Sequence, residues 1–103
     1  MSMHRAWLRS STYKKRYSMV KVKLLVLDVM KPIDPGTIEL SKSLNELPDV
    51  HLVDITITEV ERKVEAIKIL IEGTDLNYEA IRKLLERHGA SIHNVERVTT
   101  NKV

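Results

Sequence analysis

Residues 50–73 constrain the fold most tightly. VHLVDITITEV (50–60) and VEAIKILIEG (64–73) each alternate apolar and polar side chains. A period of two sends alternate residues to opposite faces of a strand. Val53, Ile55 and Ile57 share one face of the first segment, with Asp54, Thr56 and Thr58 on the other. Ile67, Ile69 and Ile71 share one face of the second, with Ala66, Lys68, Leu70 and Glu72 opposite. Glu61-Arg62-Lys63 alone separates the segments, so they read as a β-hairpin with a charged tip.

Helical and strand signals flank the hairpin on both sides. VKVKLLVLDVMK (20–31) reads as a first strand. Asp34-Pro35-Gly36 then carries helix-start chemistry, with Asp34 at the N-cap and Pro35 at the first helical position. Leu40, Leu44 and Leu47 follow at helical spacing, and Pro48 ends the segment. Asn77 is placed to cap a second helix, with Leu76 and Ile81 as a hydrophobic staple. Ile81, Leu84 and Leu85 form its buried stripe, and Gly89 stands where a left-handed terminal residue is wanted. ASIHNVERV (90–98) is the last strand, with a bulge expected near Asn94.

The order β-α-β-β-α-β has two βαβ halves of similar length. Right-handed crossovers in both give a ferredoxin-like α+β sandwich. Its four-stranded antiparallel sheet has order 4-1-3-2, with both helices on one face and the other face open. A chain of 103 residues supports one such domain. Residues 20–100 are assigned to it, 101–103 to a tail and 1–19 to an N-terminal arm.

The arm differs from the body in charge. It holds Arg5, Arg9, Lys14, Lys15 and Arg16 and no acid, together with His4, Trp7, Tyr13 and Tyr17. The body has the other 12 Lys and Arg against 14 Asp and Glu, so it is slightly acidic. Three readings of the arm stay open. It is a disordered tail, an extension from an upstream start, or a nucleic-acid-binding segment. In the last, Arg5, Arg9, Lys14, Lys15 and Arg16 meet phosphates and Trp7, Tyr13 and Tyr17 stack on bases. Its Arg- and Ser-rich, acid-poor composition is also that of transit peptides, while AWL is too short for a secretory signal. No apolar run approaches the roughly 18 residues that would cross a bilayer. There is no cysteine, which excludes disulfides, thiolate-bound metals and a cysteine nucleophile. A cytoplasmic protein is the expectation.

Asp28 interrupts the apolar run KLLVLDV. With Leu25, Leu27 and Val29 under the helices, Asp28 falls on the open face. Antiparallel register brings Lys68 beside it from the third strand and His93 from the fourth, with Thr56 beyond Lys68. The expected row is His93–Asp28–Lys68–Thr56. It reads either as a structural cross-strand charge pair or as a ligand or divalent-ion site built on Asp28 and His93 with Asp54 or Glu72. Val22, Leu24, Val26 and Leu70 share this face, and an exposed aliphatic patch of that kind predicts a homo-oligomer, with another protomer or the folded-back arm covering the patch.

LVLDVMKPIDP, EVERKVEAIKILIEG and GASIHNVERV together resemble an uncharacterised archaeal family, domain of unknown function 211. The resemblance covers about residues 20–100. It rests on Asp28, Lys31, Pro32 and Pro35, then Glu59, Glu65, Lys68 and Gly73, then Ile92, His93 and Val98. Ile33 stands where the family usually has histidine, and Asp54 where asparagine is common. The resemblance implies a ferredoxin-like, ring-forming domain and no established activity.

Other functions of this fold lack their residues. An RNA-recognition sheet needs strand aromatics, and the body's one aromatic is Tyr78 on a helix. A soft-metal carrier needs a CxxC loop, and an acylphosphatase an arginine-bearing phosphate loop. The turn KPIDPG supplies neither, and no GxGxxG or P-loop is present. Ser41, Ser43 and Ser91 lack a base and its orienting group. His51 is expected as an exposed strand residue and His88 as a partner of a helix C-terminus.

Overall fold

A computed structural model describes residues 19–102. The elements are β1 (Val20–Pro32), α1 (Thr37–Asn45), β2 (Val50–Val60), β3 (Val64–Gly73), α2 (Tyr78–Arg87) and β4 (Ser91–Lys102). The strands form one antiparallel sheet in the order β2-β3-β1-β4, the expected ferredoxin-like arrangement. The hairpin of β2 and β3 has the expected bounds.

The core lies between the helices and one face of the sheet. Leu27, Leu40, Leu44, Ile67, Ile69, Ile71, Ile81 and Leu85 are fully buried there. Each contributes about 1.5–3 kcal/mol by leaving water. Periodicity explains the choice: Leu25, Leu27 and Val29 on β1 pair with Ile71, Ile69 and Ile67 on β3. Asn77 caps α2 by accepting from the backbone N–H of Ala80, and Gly89 takes φ +76° at the helix exit.

The same face carries two charges that alternation extends into the core. Lys31 and Glu65 are register partners and are buried, and Lys31 Nζ lies 2.9 Å from Glu65 Oε1. The ammonium also donates to the carbonyl oxygens of Pro32 at 2.6 Å and Ile33 at 3.2 Å. Its three donors are thereby used. The pair ties the end of β1 to the start of β3 and holds the turn that leaves β1.

Several expectations change. The first helix starts later than Asp34: its N-cap is Gly36, whose carbonyl accepts from Leu40 N–H. Residues 33–35 belong instead to the connection, where Ile33 N–H is held by Lys63 C=O and the Asp34-Pro35 bond is cis. β4 continues to Lys102, because β1 begins at Val20 and pairs with it to that end. Asn101 and Lys102 are therefore strand and not tail. Val22 is packed against the core and not on the open face, since a register shift at Lys23 reverses the alternation there. Ile57 points to the helical side but stays 45% exposed, because β2 is an edge strand beyond the helices' cover. The arm and its proposed binding residues lie outside the described residues.

Gly73 marks a close backbone approach. A Cβ there would lie 1.9 Å from the carbonyl oxygen of Asp49, whose own φ is +69°. Thr74 N–H donates to that same oxygen, so the α1–β2 loop is pinned against the end of β3.

Two stability outcomes follow from these contacts. Glu65→Ala leaves a buried ammonium without its carboxylate and is expected to cost about 3–5 kcal/mol in urea unfolding, whereas K31M/E65L recovers most of that loss. Gly73→Ala forces the Asp49 loop away and is expected to cost roughly 1–3 kcal/mol in the same assay.

Candidate functional site

The open face is built from the residues that alternation leaves over. Asp28 lies there, half-buried, and pairs in register with Lys68 on β3. Lys68 in turn pairs with Thr56 on β2. Three of the four expected positions therefore form one row.

The fourth is different. The register partner of Asp28 on β4 is Asn94, whose side-chain amide donates to Asp28 Oδ2 at 3.3 Å. His93 is the extra residue at a register shift between Asn94 and Ile92, and it is exposed. The bulge was expected within one residue of this place, but its effect on the row was not: it exchanges an imidazole for an amide beside the carboxylate.

A second shift on β4 falls at Glu96. Lys68 Nζ reaches Glu96 Oε2 at 2.8 Å and Oε1 at 2.9 Å. This bridge links β3 to β4 and passes over β1, the strand between them. Sequence reading missed Glu96 as a member of the site. Alternation gave no signal for it, because only the bulge brings its side chain to Lys68.

Asp54 and Glu72 do not join the row. Asp54 is opposite Leu70, one row away from Lys68, and Glu72 is opposite Leu24 and Leu52, two rows away. Successive same-face residues on a strand are roughly 7 Å apart. Among the described residues, no three His, Asp or Glu side chains are grouped to hold a metal ion. The chemistry of one copy is thus a carboxylate, Asp28, with a neighbouring amide and an ammonium bridged to a second carboxylate.

The aliphatic patch is smaller than expected. Val22 has left this face, Val26 is buried at 8% exposure, and Leu24 and Leu70 are half-buried. His51 is exposed on β2, and His88 Nδ1 lies 3.0 Å from the Leu84 carbonyl at the end of α2, both as expected.

The field at Lys68 has a definite sign. Its hydrogen bond and charge interaction with Glu96 raise the ammonium above its ordinary value of 10.5, and Asp28 adds a smaller push in the same direction. A raised value stabilises the fold fully below the unfolded value and loses that contribution as pH climbs through the folded one. The lysine's share of the bridge is therefore insensitive to pH near neutrality and is lost in alkali. Glu96→Gln is expected to lower the Lys68 titration midpoint, measured by NMR at its ε-methylene, by more than Asp28→Asn does.

Residues 23–103 match the sequence profile of domain of unknown function 211, described as Uncharacterized ArCR. The chain is also 31% identical over 81 residues to the uncharacterized protein MJ0319 of Methanocaldococcus jannaschii, covering 79% of this chain and 84% of that one. The profile spans β1 from Lys23 onward, the other three strands and both helices, including Asp28, Lys68, Glu96 and the buried Lys31–Glu65 pair. The chain, itself ferredoxin-like in architecture, belongs to this uncharacterised archaeal family.

Proposed function

We propose that this domain is a self-assembling binding module whose copies join through their two different sheet edges into a closed ring. One observation carries the reading: aliphatic side chains stand exposed along both outer strands. On the β2 side these are Leu52, Ile57 and Val60, with Ile38 of α1 nearby at 68% exposure. On the β4 side they are Val95 and Val98. Edge strands with unpaired backbone groups and apolar side chains invite pairing. Joining unlike edges is a heterologous contact, which gives a ring when the rotation closes.

The same proposal gives the open-face row a role in binding a small ligand or divalent ion. Asp28 and Lys68 supply one carboxylate and one ammonium. Neighbouring copies supply the further groups that one copy does not bring together. His93, Asp54 and Glu72 are exposed, so they are free to face an adjoining copy. The nucleic-acid reading rests on Arg5, Trp7, Arg9, Lys14, Lys15 and Arg16, which lie outside the described residues. The acidic balance of the body does not favour it.

A native mass spectrum of the untagged full chain is expected to give one multimer of fixed subunit number. Ile57→Lys and Val98→Lys are each expected to shift it to smaller species while circular dichroism stays that of the folded chain. A monomer at micromolar concentration refutes the assembly. Calorimetric titration with divalent cations tests the row, with uptake expected in the multimer and lost in Asp28→Asn.

A further inference from the structure

A cleft of about 620 Å³ opens at the end of the sheet where β1 begins, far along the strands from the Lys31–Glu65 pair. The loop after α1 forms one wall, and the β3–α2 connection with the first turn of α2 forms the other. Its floor is apolar: Leu76 and Ile81 are buried, and Val22 and Leu47 pack against the core. Clefts that hold small molecules run from roughly 300 to 1,000 Å³ and combine such a floor with a few polar groups.

The polar groups here share one sign. Asp49 comes from the loop after α1, Asp75 from the β3–α2 connection and Glu79 from the first turn of α2. No lysine or arginine is among the described lining residues. Asp75 meets Lys21 at 3.5 Å, with both side chains partly in water, and Glu79 is bonded to Arg82 at 2.8 Å. Asp49 Oδ1 accepts from the Thr74 hydroxyl at 3.0 Å, and no cation pairs with Asp49 among the described residues. The start of α2 does not turn the cleft toward anions. Asn77 Oδ1 already accepts from the Ala80 N–H, and Glu79 sets a carboxylate in that turn.

We propose that this cleft binds a linear aliphatic polyamine. Charge complementarity and the floor select the occupant together. A metal ion needs its carboxylates gathered, and among the described residues no three are grouped to hold one. A lone ammonium meets one carboxylate and leaves the floor uncovered. Ammonium groups joined by methylenes satisfy both features. The methylenes lie along Leu47, Leu76 and Ile81, as a lysine stem lies on apolar surface while its charged head stays in water. The ammonium groups meet Asp49 and Asp75. Tyr78 also lines the cleft, and an aromatic face attracts an ammonium within about 6 Å. Asp28, Lys68 and the exposed Ile57 and Val98 take no part.

Spermidine is the probe. Calorimetric titration of the full chain at roughly 0.15 M salt, where long-range attraction is screened, is expected to show saturable uptake of one molecule per chain. Amide NMR shifts are expected at 47–50 and 75–81. D49N/D75N is expected to weaken uptake roughly tenfold. Asparagine keeps the left-handed backbone of position 49 and an oxygen for Thr74, so the variant changes charge without strain. Ala80→Leu fills the cleft with no change of charge, suits a helix, and is expected to weaken uptake several-fold. Glu39→Gln, an exposed site on α1, is expected to leave affinity unchanged. Propylamine, with one ammonium, is expected to bind far more weakly than spermidine. Absent uptake overturns the proposal, as does uptake that D49N/D75N or Ala80→Leu leaves unaltered. An equal loss in Glu39→Gln, propylamine that binds as tightly, or shifts centred on the open-face row also overturn it, since they mark general attraction to an acidic surface or another site.

Discussion

The ammonium group of Lys31 is fully buried, and the end of β1 is organised around satisfying it. Removing such a charge from water is costly, and the cost is offset only when every donor finds a partner. Glu65 and the carbonyls of Pro32 and Ile33 provide that set. The carboxylate comes from β3 and the carbonyls from the turn beyond β1, so the pair fixes three things at once. It sets where β1 ends, how the chain leaves it, and how β1 aligns with β3. A slip of one residue would put Ala66 or Val64 opposite the ammonium and strand the charge.

The open face inherits that alignment. Asp28 stands three residues before Lys31, and Lys68 three residues after Glu65, so the core pair places Asp28 opposite Lys68. What happens on the other side of β1 is set by β4, which carries two register shifts within a few residues. Each shift adds a residue to one strand without a counterpart on the other. The first puts Asn94 beside Asp28, and the second releases Glu96 to bridge to Lys68. The outer strands differ from the inner ones for a simpler reason. Two helices cannot cover four strands fully, so apolar residues at Ile57, Val95 and Val98 remain partly in water although they face the helical side.

Much of this was legible in advance because it follows from periodicity. Strict alternation in 50–60 and 64–73 fixed the hairpin, its bounds and its buried face. The caps and stripe of α2 were equally plain in Asn77, Ile81, Leu84, Leu85 and Gly89. The start of α1 was not, since Asp34 and Pro35 carry helix-start chemistry yet are used in the turn. Lys31 and Glu65 left a signal that alternation alone could have found. Lys31 continues the face of Leu25, Leu27 and Val29, and Glu65 precedes Ile67, Ile69 and Ile71 on theirs. Opposite charges at matched ends of two buried faces point to a pair.

By itself, then, the sequence determined the element order, the buried face of each central strand and the side of the sheet on which Asp28 lies. Side-chain period is a local property, and hydrophobic burial acts on it directly. Only the tertiary structure decided that Asn94 and not His93 meets Asp28, that Glu96 reaches Lys68, and that Val22 turns inward. Those outcomes depend on bulges, and a bulge arises from the fit between two strands far apart in the chain. The irregular period of 90–98 marks a bulge near Asn94, but no local pattern in either strand records which side chains it brings together.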